Sequence, residues 1–191
     1  MRKLVYTGFM SLDGVVDSPG RGPGEEHRSG GWVLDLDFVE EAWSLKGEEL
    51  ADTTALMFGR RSYEAFGAVW PGSEDHAAYR DLPKYVVSTT LAEDGLVDGW
   101  GPTSVLRSAE DVAALKEGDG GAIFIHGSAE LARRLSEAGL IDQYNLLVFP
   151  VLLGAGKSLF GRADRDKQML ALRESQAYSN GIIKMIYDVR R

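Results

Sequence analysis

The chain has 191 residues, enough for one domain with a sizeable core, and its 44% hydrophobic and 26% charged content is ordinary for a globular protein. A formal net charge of −8 argues against a nucleic-acid or anionic-membrane surface, so a phosphate-bearing ligand would need a local basic site. The absence of cysteine excludes disulfides, a thiol nucleophile and cysteine-ligated metal. Because Met-Arg-Lys leads straight into a strand-like run, with no signal-peptide stretch, a cytoplasmic location is expected.

In chain order, Lys3 to Met10 reads as a strand, and Gly8 inside it marks close approach of a ligand or backbone. Ser11-Leu12-Asp13-Gly14 is a turn. Asp17 to Gly31 holds Gly20, Gly22, Gly24, Gly30 and Gly31 with Pro19 and Pro23, and is expected to be a mobile loop over a site. Asp35 or Asp37 is expected to cap a helix from Phe38 to Ala51, with Phe38, Ala42, Leu45 and Leu50 inward. Ala55 to Phe58 is a short buried strand, followed by Gly59-Arg60-Arg61-Ser62 and a helix from Tyr63 to Ala68. Lys84 to Ser88 and Thr103 to Leu106 are strands, and Ser108 caps a helix to Lys116. Ile123 to Ile125 is a strand that ends at His126-Gly127, and Ser128 caps a helix from Ala129 to Ala138. Gln143 to Leu153 reads as a long strand interrupted by Pro150, and Gly154 to Arg165 as a loop. Leu170 to Tyr178 and Ile182 to Val189 flank Asn180-Gly181, a strong hairpin signal. Alternating strands and helices with a terminal hairpin predict an α/β fold, its sheet mostly parallel with an antiparallel edge, in a single domain.

Several familiar sites are missing. Gly156-Lys157-Ser158 resembles the end of a P-loop, but Val151 stands where that motif needs its first glycine. No G-x-G-x-x-G follows a strand, and His27, His76 and His126 have no metal spacing. Two strand–glycine–helix units remain, at Phe58-Gly59-Arg60 and Ile125-His126-Gly127. Each turns a helix N-terminus and its N–H donors toward the end of a strand, where an anion can sit. Arginine in a first helical turn opposes the helix dipole, so a bound phosphate would explain Arg60 and Arg61. Ser88-Thr89-Thr90 offers small hydroxyl residues at a third strand exit.

Six segments in this order resemble the dihydrofolate-reductase-like superfamily: 11–14, 58–64, 86–89, 126–131, 139–142 and 150–156. The chain is similar above all to the C-terminal reductase domain of the bifunctional riboflavin-biosynthesis deaminase–reductase. The resemblance implies a three-layer fold and NADPH-dependent hydride transfer to a small heterocycle. It implies a 2′-phosphate segment at Gly59, Arg60, Arg61 and Ser62, an adenosine segment at Ser88 and Thr89, and a pyrophosphate and nicotinamide turn at His126, Gly127, Ser128, Ala129 and Leu131. Val16 would border the nicotinamide loop. Asp37 is the best match to a catalytic carboxylate, and Phe9, Asp13, Trp32, Phe38 and Glu41 are the expected substrate contacts. A homodimer is also implied, with Leu146 to Phe149 offering either interface or core. The riboflavin-type reductases usually carry a lysine after Ser-Leu-Asp-Gly, where this chain has Val15. A dihydrofolate or pteridine reductase, or a module that binds NADPH without turnover, are the alternative readings. No metal is expected.

Overall fold

The computed structural model describes residues 1–161 and 167–191. Its strands are β1 (Leu4–Ser11), β2 (Thr53–Gly59), β3 (Lys84–Val87), β4 (Thr103–Leu106), β5 (Ala122–His126), β6 (Gln143–Phe149), β7 (Leu170–Ala177) and β8 (Ile183–Val189). Its helices are α1 (Glu40–Asp52), α2 (Arg60–Gly67), α3 (Ala109–Glu117) and α4 (Ala129–Glu137). One eight-stranded sheet has the order β4-β3-β2-β5-β1-β6-β8-β7. Pairs from β4 to β6 are parallel, while β6–β8 and β8–β7 are antiparallel. The three-layer α/β architecture expected from the sequence is therefore present.

Strand alternation sends successive side chains to opposite faces and so separates the cores. Leu4, Tyr6, Met57, Ile123, Ile125 and Leu146 face a layer built with Val112 of α3 and Leu131, Ala132 and Leu135 of α4. On the other face lie two separate clusters. One joins Leu147, Phe149 and Ile186 to Ala42 and Leu45 of α1. The other joins Leu56, Phe58 and Val86 to Tyr63 of α2 and the buried Trp100. Between these two clusters the strands present Thr7, His126 and Asn145, all buried polar residues. The sequence does not advertise this gap, because each residue stands alone in an apolar strand.

Several boundaries move. Helix α1 starts at Glu40, its N-cap is Val39, and no side chain caps it. Neither Asp35 nor Asp37 has the expected capping role; Glu40 and Glu41 complement the dipole instead. The Asp37 carbonyl is taken by the Asn180 amide at 2.9 Å, which ties the chain before α1 to the hairpin turn. Phe38, expected inward, is 74% exposed. Helix α2 begins three residues earlier than expected, at Arg60 directly after Gly59. Strand β6 stops at Phe149, because Pro150 has no N–H to continue the ladder. The predicted hairpin is present, but Gly181 alone of the turn residues has positive φ (86°), so the 179–181 connection is a three-residue loop. Leu146 to Phe149 are buried within the chain between β1 and β8, which makes them core rather than interface. The predicted 154–165 loop falls partly outside the described residues.

Candidate active site

Strands β2 and β5 are neighbours and both run into a glycine, yet they feed helices on opposite faces of the sheet. Their connections diverge beyond the carboxyl ends of the strands and open a crevice, the position where α/β sheets take ligands. Two serines clasp the exits together. The Gly59 N–H donates to Ser128 Oγ at 2.8 Å, and the Ser128 N–H donates to Ser62 Oγ at 3.0 Å. Gly127 and Ser128 both have left-handed backbones, φ 59° and 58°. A Cβ on Gly127 would meet the Phe66 ring at 3.2 Å, so glycine is needed there on grounds of both strain and space.

The clasp corrects one expectation. Ser128 stands at the N-cap of α4 as expected, but its side chain makes no capping bond, and its N–H, in the turn expected to hold a pyrophosphate, is taken by Ser62. The remaining donors belong to the first turns of α2 and α4, whose N–H groups have no intrahelical acceptor. At the third exit Ser88 Oγ accepts the N–H groups of Thr90 and Leu91, and Arg107 donates to the Ser88 and Leu91 carbonyls. Arg60 spans the second and third exits, donating to Glu64 at 2.7 Å and to Thr90 Oγ1 at 3.0 Å. Arg61 lines a cleft of about 560 Å³ with Arg28, His27 and Lys157, opposite Asp17 and Glu26. Asp17 is already held by Lys157 at 2.8 Å. This is the local basic site that an anionic ligand would need on an acidic chain.

The 17–31 loop is pinned at both ends. Asp17 accepts from Lys157 through backbone and side chain, and its carboxyl is held below the ordinary carboxylate range, burial opposing these bonds. Trp32 Nε1 donates to the Asp17 carbonyl, the Ser18 carbonyl takes the Gly31 N–H, and His27 reaches the Ala155 carbonyl. Val16 donates its N–H to the Lys157 carbonyl. The loop and the 154–158 segment thus form one wall of the basic cleft.

A second cleft lies between α1 and α2, over the buried polar strip. Glu49, 4% exposed, accepts the Thr7 hydroxyl at 2.8 Å and the Asn145 amide at 2.8 Å. Lys46 bonds the same carboxylate at 3.1 Å and also donates to the Thr7 hydroxyl. The Lys46 ammonium lies 5.3 Å from the centre of the Phe9 ring. Phe9 packs edge-on against Trp43 at 5.2 Å, and Trp43 stacks on exposed Phe38 at 6.3 Å. Next to Thr7 across the β1–β5 pairing is His126, whose ring meets the edges of Trp70 and Tyr79 at 5.6 Å. Its Nε2 is buried with no hydrogen-bond partner among the described residues. Burial, then the Lys46 and His76 charges, push the His126 imidazole down to about 3, so it is neutral at pH 7.

The family model for the RibD C-terminal domain matches residues 2–184, nearly the whole chain. This chain belongs to that family. A curated relative is an uncharacterized protein, YyaP, of Bacillus subtilis (strain 168), 29% identical over 139 residues, which are 69% of this chain and 72% of that one. Among solved structures, a Shewanella sp. PV-4 protein assigned to riboflavin biosynthesis superposes with a TM-score of 0.77, 17% identity and 99% coverage of both chains. The dihydrofolate reductase of Enterococcus faecalis, solved with NADP(H) and an inhibitor, gives 0.62 at 14% identity, over 99% of this chain and 97% of that one. RibD of Acinetobacter baumannii gives 0.65 at 15% identity, and this chain spans 58% of its length. At these identities the structures show the shared fold.

Within this RibD C-terminal domain fold, the residues expected at the cofactor converge well. Gly59, Arg60, Ser62, Gly127 and Ser128 meet at one crevice, with Ala129 and Leu131 in the first turn of α4 and Ser88 and Thr89 at the adjacent exit. His126 flanks the crevice through its backbone, directly before Gly127, while its ring packs against Trp70 and Tyr79. The expected substrate residues scatter more. Phe9 and Phe38 both pack on Trp43, but Trp32 is 2% exposed, packed edge-on against Phe149. Asp13 is a staple. Its carboxylate accepts Ser11 Oγ and the N–H groups of Leu153 and Gly154, and these bonds hold it down at about 2. Glu41 is exposed on the side of α1 toward Tyr178 and the hairpin. Asp37 is exposed before α1. Sequence reasoning missed Lys46, Glu49 and Arg107. A lysine three residues before a glutamate on a helix reads as a solvated pair, and only the neighbouring Thr7 and Asn145 turn it into a buried one.

Proposed function

We propose that this chain is an NADPH-dependent oxidoreductase of the riboflavin-reductase type, acting on a small heterocyclic or otherwise conjugated acceptor. The observation that carries this reading is the clasp of Gly59, Ser62 and Ser128, which sets two helix N-termini side by side at a crevice flanked by Arg60 and Arg61. The donor set suits a dinucleotide phosphate: first-turn N–H groups for the pyrophosphate, and an arginine at the hydroxyl-rich third exit for a 2′-phosphate. When bound, NADPH supplies the hydride. The chain's own residues hold the cofactor, seat the acceptor in the α1–α2 cleft and limit the access of water.

Arg60→Ala tests the assignment. A charge-assisted bond of about 1.5–3 kcal/mol corresponds to a loss of roughly 10- to 100-fold in NADPH affinity, with NADH affinity nearly unchanged. Cofactor binding by fluorescence titration measures both, and equal losses would sink the 2′-phosphate assignment. Turnover is read from absorbance of the reduced nicotinamide against a panel of pterins, pyrimidines and quinones. Binding without oxidation of NADPH by any of them would favour the non-catalytic module.

We further propose a homodimer formed through β7, not β6. Among the described residues β7 is one of the two edges of the sheet, and it carries Leu172, 56% exposed. An unpaired edge with exposed apolar side chains is a template for association. Leu172→Lys should convert a dimer to a monomer in light scattering, and an unchanged mass would exclude this edge.

A further inference from the structure

At the third strand exit one exposed arginine uses both N–H groups of a single nitrogen on the backbone. Arg107 Nη1 donates to the Ser88 carbonyl at 2.9 Å and to the Leu91 carbonyl at 2.8 Å. These carbonyls are the two ends of the four-residue turn that follows β3. Inside the turn, Ser88 Oγ accepts the N–H groups of Thr90 and Leu91 at 3.2 and 3.0 Å. The Ser88 N–H is bonded to the Leu106 carbonyl, and Leu91 is 3% exposed in the cluster of Phe58, Tyr63 and Trp100. Both ends of the turn are therefore fixed, while Thr89 and Thr90 stand exposed at its tip. Arg107 has a firm base of its own. Its N–H donates to the Asp111 carboxylate at 2.7 Å, and Asp111 belongs to the capping box that opens α3.

The tip of the turn leads to Arg60. Thr90 Oγ1 accepts from Arg60 Nη1 at 3.0 Å, and Arg60 Nε donates to Glu64 at 2.7 Å. The Glu64 pair joins two half-exposed side chains one turn apart on α2, a kind of ion pair that is worth little in water. The Thr90 bond is different, because it ties the guanidinium to the opposite wall of the exit. A guanidinium is planar and its N–H groups lie in that plane, so two bonds fix the direction of those that remain. Contacts thus run without a break from the α3 capping box through Arg107, the 88–91 turn and Thr90 to Arg60. An arginine ordered before its ligand arrives avoids the ordering cost of binding.

We propose that Arg107 is a positioning residue for Arg60: by strapping the 88–91 turn it holds Thr90 where Thr90 orders the Arg60 guanidinium, and so it sets the preference for a ligand with a phosphate monoester at this exit. This deepens the cofactor reading above and rests on it, the monoester being the 2′-phosphate of NADPH. Arg107 does not touch the ligand in this scheme. Its effect travels through Arg60 alone.

Fluorescence titration of the full chain with NADPH and with NADH tests this. Arg107→Ala should weaken NADPH roughly 3- to 10-fold, the cost of immobilising one long side chain on binding, and leave NADH unchanged. Thr90→Val keeps the shape of the tip but removes the acceptor, and should give the same loss with Arg107 in place. Arg107→Lys should restore part of the affinity, since an ammonium can still reach a carbonyl of the turn. In an Arg60→Ala background neither Arg107→Ala nor Thr90→Val should have any further effect, a non-additivity that direct contact between Arg107 and the phosphate does not produce. A purely structural role would weaken both cofactors equally. Equal losses for NADPH and NADH, an Arg107→Ala loss that persists without Arg60, or wild-type binding by Thr90→Val overturns the proposal. A wild type that binds NADPH no better than NADH overturns the cofactor reading and this assignment with it. Failure of the variants in a wild type that prefers NADPH overturns the role of Arg107 alone.

Discussion

Glu49→Leu is expected to destabilise the fold by about 3–5 kcal/mol, in the range seen when one partner of a buried ion pair is removed. The size follows from what is left behind. Leucine nearly matches the volume, so the cost is not a cavity. It is the Asn145 amide, 3% exposed, the Thr7 hydroxyl, 1% exposed, and a Lys46 ammonium stripped of its counter-charge. Each loses an acceptor, the Asn145 amide and the Thr7 hydroxyl in a setting that water does not reach, and buried polar groups without partners cost about 1–3 kcal/mol apiece. Glu49→Gln should cost less, since the amide keeps an oxygen for Asn145 or Thr7. Asp37→Ala, at an exposed position, should change stability by no more than about 0.5 kcal/mol. Urea unfolding of the three variants at pH 7 measures the ranking. A Glu49→Leu loss as small as that of Asp37→Ala would mean that the polar strip is hydrated and not a buried network.

The contrast between Glu49 and Asp37 shows where sequence reading stops. The eight strands, the four helices and the meeting of two strand–glycine–helix turns were legible because their signals are local. A glycine after an apolar run ends a strand, and small hydroxyl residues after it point to the turn chemistry. Gly127 and Ser128 were placed correctly on that basis, although the partner of the Ser128 N–H was not foreseen, since Ser62 lies 66 positions away. The cleft was not legible, because it is built by register. Thr7 pairs with His126 on one side and Asn145 on the other, and only the β1–β5 and β1–β6 alignments put the three in one row. Glu49 enters that row from near the end of α1, more than two turns beyond Asp37, where a search for an early-helix carboxylate does not look. Phe38 illustrates the same limit. Periodicity assigned it inward, but the helix begins two residues after it, so its side chain follows a different direction.

Between pH 6.5 and 4.5 the wild type should lose stability through His126, on the order of 2 kcal/mol, because each pH unit below the unfolded imidazole value costs about 1 kcal/mol. The imidazole is brought down to about 3 by burial first, then by the Lys46 and His76 charges. Its folded pKa thus lies below its unfolded value of about 6.5. Between these two values the unfolded chain carries a proton that the folded chain refuses, so acid favours unfolding throughout that window. The upper part of the window separates this effect from the carboxylates. Asp13, Asp17 and Asp188 are all held below their usual range, and their stabilisation is lost only as the pH falls through the ordinary aspartate value of 3.8 and below. His76 is also lowered by burial and adds a contribution of the same sign. His126→Gln keeps a polar side chain without the titration, so its stability between pH 6.5 and 4.5 should be flatter than that of the wild type by nearly the whole His126 share. Parallel curves for the two proteins would show that His126 takes up its proton in the folded state, and therefore that the floor of the α1–α2 cleft is open to water.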